Sequence, residues 1–342
     1  LTLILSLAPA WHLEARTNLV SLPDRGKVMI RLTGQNAALV QEERVLSLKK
    51  GLNKVDFSWQ NVAIDPFSII LEPVGKDGTI SLLSVSFPPN EPALIWDIHA
   101  KENTAQPVII SYLLSGIDSL VTYKATADQE EKRLHLKSYL VLRNFSGENF
   151  DPAHIWLNPE TVFSTRSQNL ETRKILFFDK KGLKVFRVYT WDSAVMPHDP
   201  EKEQAAVGIP AGYKIKNTED AGLGFVDLIR GKARIFQADS DDSLIFAGED
   251  SARFVPKGDE TVLVTGKTRD IIVARHRMDT QKTNIRRNKK GKIQVYDEII
   301  TDQYTIENTR DKAVTLTIKD HIPGQWEPVD MGHEYKKENF NH

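Results

Sequence analysis

A chain of 342 residues is too long for a single ordinary core and calls for two or three domains. Its 40% hydrophobic and 27% charged content is that of globular protein and argues against wholesale disorder. With 45 Lys and Arg against 46 Asp and Glu, the net charge of -1 gives no global field for nucleic acid or an anionic membrane. The absence of cysteine removes disulfides, thiolate metal sites and a cysteine nucleophile.

The first ten residues, Leu1-Thr2-Leu3-Ile4-Leu5-Ser6-Leu7-Ala8-Pro9-Ala10, form an apolar run ending in small side chains. This pattern predicts a signal-peptide remnant over residues 1–15, cleaved after Ala10 or Ala15, and hence a periplasmic or secreted protein. A buried first strand is the competing reading. The run is too short to span a bilayer, and no later segment reaches the roughly 18 uninterrupted apolar residues of a membrane helix. No initiator Met or basic stretch precedes it, so the front is expected to be clipped.

Residues 16–92 read as a β domain of short strands and turns. Val28, Ile30 and Leu32 alternate before Gly34-Gln35-Asn36, and Val55 and Phe57 alternate after Gly51-Leu52-Asn53. Asp65-Pro66 forces a turn, because the residue before proline is pushed out of the α region. Gly75-Lys76-Asp77-Gly78 is a hairpin signal, and Pro88-Pro89-Asn90-Glu91-Pro92 reads as a linker.

Residues 105–265 read as a central β-sandwich. Leu134, Leu136, Leu140 and Leu142 fall on one face of a strand, with His135, Lys137, Tyr139 and Arg143 on the other, the period of two of a half-buried strand. That strand ends at the turn Arg143-Asn144-Phe145-Ser146-Gly147-Glu148-Asn149. Two further strands, 174–178 and 183–189, are expected to be bridged by Asp179-Lys180-Lys181-Gly182. Residues 196–206 are polar and predict an exposed loop, and Asp239-Ser240-Asp241-Asp242 predicts an acidic turn. Residues 266–342 read as an immunoglobulin-like module, incomplete at its C-terminus, with Asn308-Thr309-Arg310-Asp311-Lys312 as a hairpin connection. The whole is therefore predicted to be all-β, with two to three sandwich-like domains and no cofactor.

Motifs that carry chemistry are few. Thr265-Gly266-Lys267-Thr268 resembles the end of a phosphate-binding loop, but position 261 is Thr where the motif needs Gly, and a strand pattern follows. Arg286-Arg287-Asn288-Lys289-Lys290-Gly291-Lys292 has no interleaved aromatics and reads as a solvated hairpin tip, not a nucleic-acid contact. Asp239, Asp241 and Asp242 are the candidate ligands for Ca²⁺, which takes flexible carboxylates; a plain acidic turn is favoured, since the Gly and Glu of a calcium loop are missing. His333-Glu334 would open a zinc-protease motif, but Lys337 stands where the second histidine belongs. Glu148, Asp192 and Glu249 are the loop candidates for a carboxylate pair acting in glycoside hydrolysis. Trp156, Trp191 and Trp326 are candidates for a sugar-stacking face, although tryptophan in a sandwich more often packs in the core. Asn144-Phe145-Ser146 is a glycosylation sequon that a bacterial protein would use only as a turn.

Several stretches together resemble a bacterial conserved-hypothetical family, domain of unknown function 4139, the mucoidy-inhibitor-like group. They are Ala37-Ala38-Leu39-Val40, Gly51-Leu52-Asn53, Ile64-Asp65-Pro66 and Ser68, then Ser111-Tyr112-Leu113-Leu114-Ser115-Gly116, Tyr123 and Asn144-Phe145-Ser146-Gly147-Glu148. Phe246-Ala247-Gly248-Glu249-Asp250, Pro256-Lys257-Gly258-Asp259, Ile306-Glu307-Asn308 and Lys319-Asp320-His321 continue the likeness, which covers roughly residues 28–342. The coiled coil that many relatives carry between their halves has no counterpart here. The resemblance implies an exported bacterial β protein and transfers no catalytic residue. The leading expectation is a non-catalytic cell-envelope protein that binds a protein or polysaccharide. A carboxylate-dependent carbohydrate hydrolase and a Ca²⁺-stabilised adhesin are the alternatives.

Overall fold

The computed structural model describes residues 17–32, 37–75, 78–158, 161–196, 207–241, 243–322, 324–332 and 334–337. The predicted signal-peptide remnant, the Gly34 turn, Lys76-Asp77, Asp242 and His333 fall outside them. Twenty strands run through the described residues. They are β1 (Asn18–Val20), β2 (Val28–Arg31), β3 (Ala37–Leu48), β4 (Gly51–Ser58), β5 (Ile70–Pro73), β6 (Ile80–Ser86), β7 (Ala93–Ala100), β8 (Thr104–Ser115), β9 (Ile117–Ala127) and β10 (Arg133–Asn144). The chain continues through β11 (Phe150–Asn158), β12 (Thr161–Ser167), β13 (Glu171–Asp192), β14 (Ile209–Lys216), β15 (Gly231–Ala238), β16 (Leu244–Ala252), β17 (Glu260–Thr268), β18 (Ile271–Arg287), β19 (Ile293–Asn308) and β20 (Thr315–Lys319). Apart from single 3-10 turns at Pro66–Ser68 and Glu219–Ala221, there is no helix among the described residues. The protein is all-β, as the alternating pattern predicts.

The chain divides into two compact units: Leu1–Leu120 with Leu140–Ile175, and Val121–Tyr139 with Leu176–His342. The first unit holds a four-stranded sheet, β1-β4-β7-β6, and a six-stranded sheet, β12-β11-β2-β3-β8-β5. Strand β3 alternates buried and half-buried side chains along Ala37–Glu42, and β8 pairs with it antiparallel from Ala37↔Ser115 to Leu48↔Thr104. The two sheets meet through aromatic rings: Phe57 of β4 lies 5.7 Å from Trp96 of β7 and 6.0 Å from Tyr112 of β8. Trp96, Tyr112, Ile30, Leu46, Leu94, Ile98, Ile110 and Leu114 are fully buried there. Each such side chain contributes roughly 1.5–3 kcal/mol by leaving water, which fixes the register of every strand that carries one.

The second unit is built on the sheet ordered β16-β15-β9-β10-β13-β14-β17. Its end strands approach each other: Asp250 of β16 accepts the Val264 amide of β17 at 2.8 Å, and a Cβ built on Gly248 would lie 2.1 Å from the Thr265 carbonyl. The sheet is thereby nearly closed and barrel-like. The predicted turn at Asp179–Gly182 is instead part of one 22-residue strand, β13. Gly182 takes a φ of +70° within the strand, a conformation open to glycine, and the strand continues through it. Asp179 is held in the sheet by His135 and Lys137 of β10, at 2.5 and 2.9 Å.

After β17, the strands among the described residues are a two-stranded antiparallel ribbon, β18–β19, and the short β20. The expected hairpin at Asn308–Lys312 is absent, because β20 pairs parallel with β13, from Val188↔Thr315 to Asp192↔Lys319. Val314, Leu316 and Ile318 pack on the cluster of Tyr189, Trp191, Met196, Ile209, Ala211, Ile271 and Val273, and that apolar contact holds β20 in place. Met196, expected to open an exposed loop, is buried in the same cluster, while residues 197–206 lie outside those described.

Candidate functional site

The turn after β10 is organised by Asn144, which is fully buried. Its side-chain oxygen accepts the Ser146 amide at 3.1 Å and hydroxyl at 2.7 Å, while its amide nitrogen donates to the carbonyls of Glu148 and Ser167. The Asn-Phe-Ser sequon therefore works as a buried Asx turn. Gly147 follows with a φ of +87° and its α carbon pressed on the Asn61 carbonyl, where a Cβ would sit 1.9 Å from the oxygen. The Ser146 carbonyl accepts the Ala63 amide at 2.8 Å. Asn144, Ser146 and Gly147 thus each have a structural task.

Beside this turn lies a charged cluster centred on Glu42. Strand β3 places Ala38, Val40 and Glu42 on its inward face, so the carboxylate sits where an apolar side chain is expected. It accepts the Tyr112 hydroxyl at 2.6 Å, Arg25 Nε at 3.1 Å, and Arg44 Nε and Nη2 at 2.9 and 2.6 Å. Arg25 also reaches Glu148 at 2.6 Å and the Asn149 carbonyl at 3.2 Å, and stacks 5.4 Å over Phe150. Burial pulls the Arg25 guanidinium downward, but Glu42 and Glu148 outweigh it and leave it raised. Burial, reinforced by Glu42, pushes the Tyr112 phenol well up. Glu42, Arg25 and Arg44 were not singled out by sequence motif. The available signal was a lone Glu on an otherwise apolar strand face.

The second unit contains two comparable networks. Glu131, at a φ of +60°, pairs with Arg310, which also donates to the Tyr189 hydroxyl; Tyr213 donates to Glu131 at 3.2 Å, and Arg187 stands 3.5 Å away. At the base of the ribbon, Asp302 is held by Arg275 at 2.5 Å and Arg277 at 2.9 Å, while Asp320 takes Arg275 and the Tyr304 hydroxyl. Burial alone would raise the Asp302 carboxyl; hydrogen bonds from Arg277 and Arg275 hold it below its ordinary value. In all three networks the carboxylate lone pairs are committed to arginine and tyrosine donors that tie strands together.

The predicted site residues take separate places. Glu148 belongs to the first unit and is paired with Arg25. Asp192 and Glu249 belong to the second. Asp192 faces His321 Nε2 at 2.8 Å and accepts the Ala194 amide at 2.9 Å. Glu249 bridges Lys232 and Arg234 at 2.7 and 3.1 Å, and the Lys232 hydrogen bond leads the interactions that hold its carboxyl below the usual range. Trp191 is buried in the apolar cluster and meets Tyr304 edge-on at 5.5 Å. Trp156, in the first unit, is stacked by Arg31 at 4.0 Å, and Trp326 by Lys337 at 4.3 Å.

Asp239 and Asp241 close the β15–β16 turn by accepting the amides of Ser240 and Ser243, at 2.7 and 3.0 Å; Asp242 is outside the described residues. Among the described residues no group of three or more His, Asp or Glu is placed to hold a metal ion. Thr265–Thr268 lies in β17, with no helix behind it. A shallow recess of about 350 Å³ is lined by Lys214, Arg253, Glu260, Thr261 and Val262, outside every predicted site. Its Lys214 is paired with Glu260 at 2.5 Å, and its Arg253 donates to Thr261 at 3.2 Å.

The ribbon has a different character. Beyond Arg277 most side chains of both strands are exposed, including Met278, Ile285, Ile293, Val295, Tyr296, Ile299 and Ile300. Among the described residues neither β18 nor β19 pairs with a third strand, so a long row of backbone groups faces outward on each side. Among the described residues no helix is long and apolar enough to cross a membrane.

No family model matches this chain, and no curated protein or solved structure matches it.

Proposed function

We propose that this protein is an exported, non-catalytic interaction module of a bacterial cell envelope, a member of the mucoidy-inhibitor-like family that its motifs resemble. The observation that carries the reading is the β18–β19 ribbon. A two-stranded ribbon alone in water is marginally stable, so 17- and 16-residue strands with exposed Ile, Val, Met and Tyr are suited to docking. The engagement of Glu148 by Arg25, of Asp192 by His321 and of Glu249 by Lys232 and Arg234 supports a structural role for these carboxylates over a facing hydrolytic pair.

The test uses two baits presented to fractionated envelope extract. One is the intact chain. In the other, residues 280–300 are replaced by an Asn-Gly turn joining the register partners Asp279 and Thr301. The reading expects an envelope component retained by the intact bait and lost from the shortened one. Equal retention by both baits, or none by either, would overturn it.

A further inference from the structure

We infer that the outer end of the β18–β19 ribbon docks onto an anionic lipid surface, an inference that rests on the ribbon being the interaction surface proposed above. Three observations converge. From Thr280 to Tyr296 the sequence contains Lys282, Arg286, Arg287, Lys289, Lys290 and Lys292 and no acidic residue, in a chain whose net charge is only -1. The near-neutral whole therefore conceals a local field concentrated at one tip, the arrangement by which a polybasic segment gains attraction to an anionic bilayer.

The tip is also preorganised. The Asn288 side chain accepts the amides of Lys290 and Lys292 at 2.9 and 3.0 Å, the Asn288 amide donates to the Lys292 carbonyl, and Gly291 closes the turn at a φ of +77°. Arg287 bonds to the Gly291 carbonyl at 3.0 Å. The lysines thus project from a defined turn.

Apolar side chains stand among the charges, and this favours lipid over a soluble polyanion. Ile285, Ile293, Val295 and Tyr296 are 42, 39, 59 and 41% exposed. In the register Arg286 faces Val295 and Arg287 faces Ile293, so apolar and basic groups alternate across the ribbon. Lys282 lies 4.4 Å from the centre of the Tyr296 ring, an aromatic with one apolar and one polar end of the kind that settles at a membrane–water boundary. Basic groups on headgroup phosphates, with isoleucine and valine reaching toward the acyl boundary, would match a lipid surface on both counts.

The test is co-sedimentation of the full chain with phosphatidylcholine vesicles containing or lacking about a quarter phosphatidylglycerol. The inference expects binding to the anionic vesicles only, weakened by salt because the attraction is screened. Removing two charges, Lys289→Ala with Lys290→Ala, should weaken it about 25-fold, at about five-fold for each basic residue. Ile285→Ser with Val295→Ser should weaken it by at least about ten-fold. All four positions are exposed, and an unchanged melting temperature checks the fold of each variant.

Two results would overturn the inference. One is no binding to anionic vesicles. The other is binding that the serine variant leaves intact, with double-stranded DNA or inorganic polyphosphate competing as well as vesicles do, which would assign the tip to a soluble polyanion. Failure of vesicle binding with continued ribbon-dependent capture from envelope extract would reject the lipid while leaving the interaction reading standing.

Discussion

Replacing Glu42 by glutamine tests the charged cluster of the first unit most sharply. The substitution keeps the shape of the side chain and removes its charge. Glu42 is fully buried and accepts from Arg25, Arg44 and the Tyr112 hydroxyl. Arg25 keeps Glu148, but Arg44 has its close counter-charge in Glu42 and would be left facing a neutral amide. Breaking a buried pair from one side costs about 3–5 kcal/mol, because the remaining charge is desolvated without compensation. With a urea slope of about 2 kcal/mol/M, the unfolding midpoint of this unit should fall by roughly 2 M. Trp59 and Trp96 are buried in the same unit, so the tryptophan emission change during urea titration reports the transition. Tyr112→Phe removes one hydrogen bond to the carboxylate and should cost about 1–3 kcal/mol. A Glu42→Gln cost below about 1 kcal/mol would refute the reasoning, showing that the carboxylate is not the hub of the cluster.

Three further outcomes are expected. Gly147→Ala should destabilise the first unit by more than about 2 kcal/mol in the same titration, since the new Cβ meets the Asn61 carbonyl and the residue must keep a φ of +87°. The Asp302 carboxyl is held below its ordinary value by Arg277 and Arg275, so its stabilisation is complete above about pH 4 and is lost as pH falls through the lowered value. Thermal melts of the protein and of Asp302→Asn should therefore differ at neutral pH and converge below about pH 4. If Asp239 and Asp241 only cap a turn, as their bonds to Ser240 and Ser243 indicate, melting with excess calcium and with chelator should coincide, whereas a shift of several degrees would restore the adhesin reading.

Local pattern carried much of the fold and little of its long-range pairing. The inward leucines of β10 are buried at Leu134, Leu136, Leu140 and Leu142, because a period of two is a local property. The continuous β13 was not legible. Asp179-Lys180-Lys181-Gly182 has turn chemistry, and its place in the sheet is shown by cross-strand bonds, from His135 and Lys137 to Asp179 and from Arg133 to the Gly182 carbonyl. The parallel pairing of β20 with β13 joins residues more than 120 positions apart and depends on an apolar cluster assembled from four separate segments. Nor could a linear division anticipate boundaries that fall within β9, β10 and β13.

The candidate site was partly legible in a different way. The Asn144–Glu148 turn stood out by composition, and its task proved to be the packing of one turn on another. Its neighbour Glu42 carried only the quiet signal of an acid in an apolar row. Glu131 and Arg310 carried no local signal, since 179 residues separate them. The basic tip was visible as a charge run. Its exposed apolar companions became meaningful only once the ribbon was found to have no third strand among the described residues.

The proposed working surface is the ribbon and not a carboxylate pair. Hydrogen exchange of the full chain, alone and with envelope membranes, tests it most directly. Fast exchange is expected along residues 278–300 in the free chain, with strong protection of that segment on membranes and β3 and β8 unchanged. Protection that instead gathers around Glu148, Asp192 or Glu249, with the ribbon still exchanging freely, would contradict it.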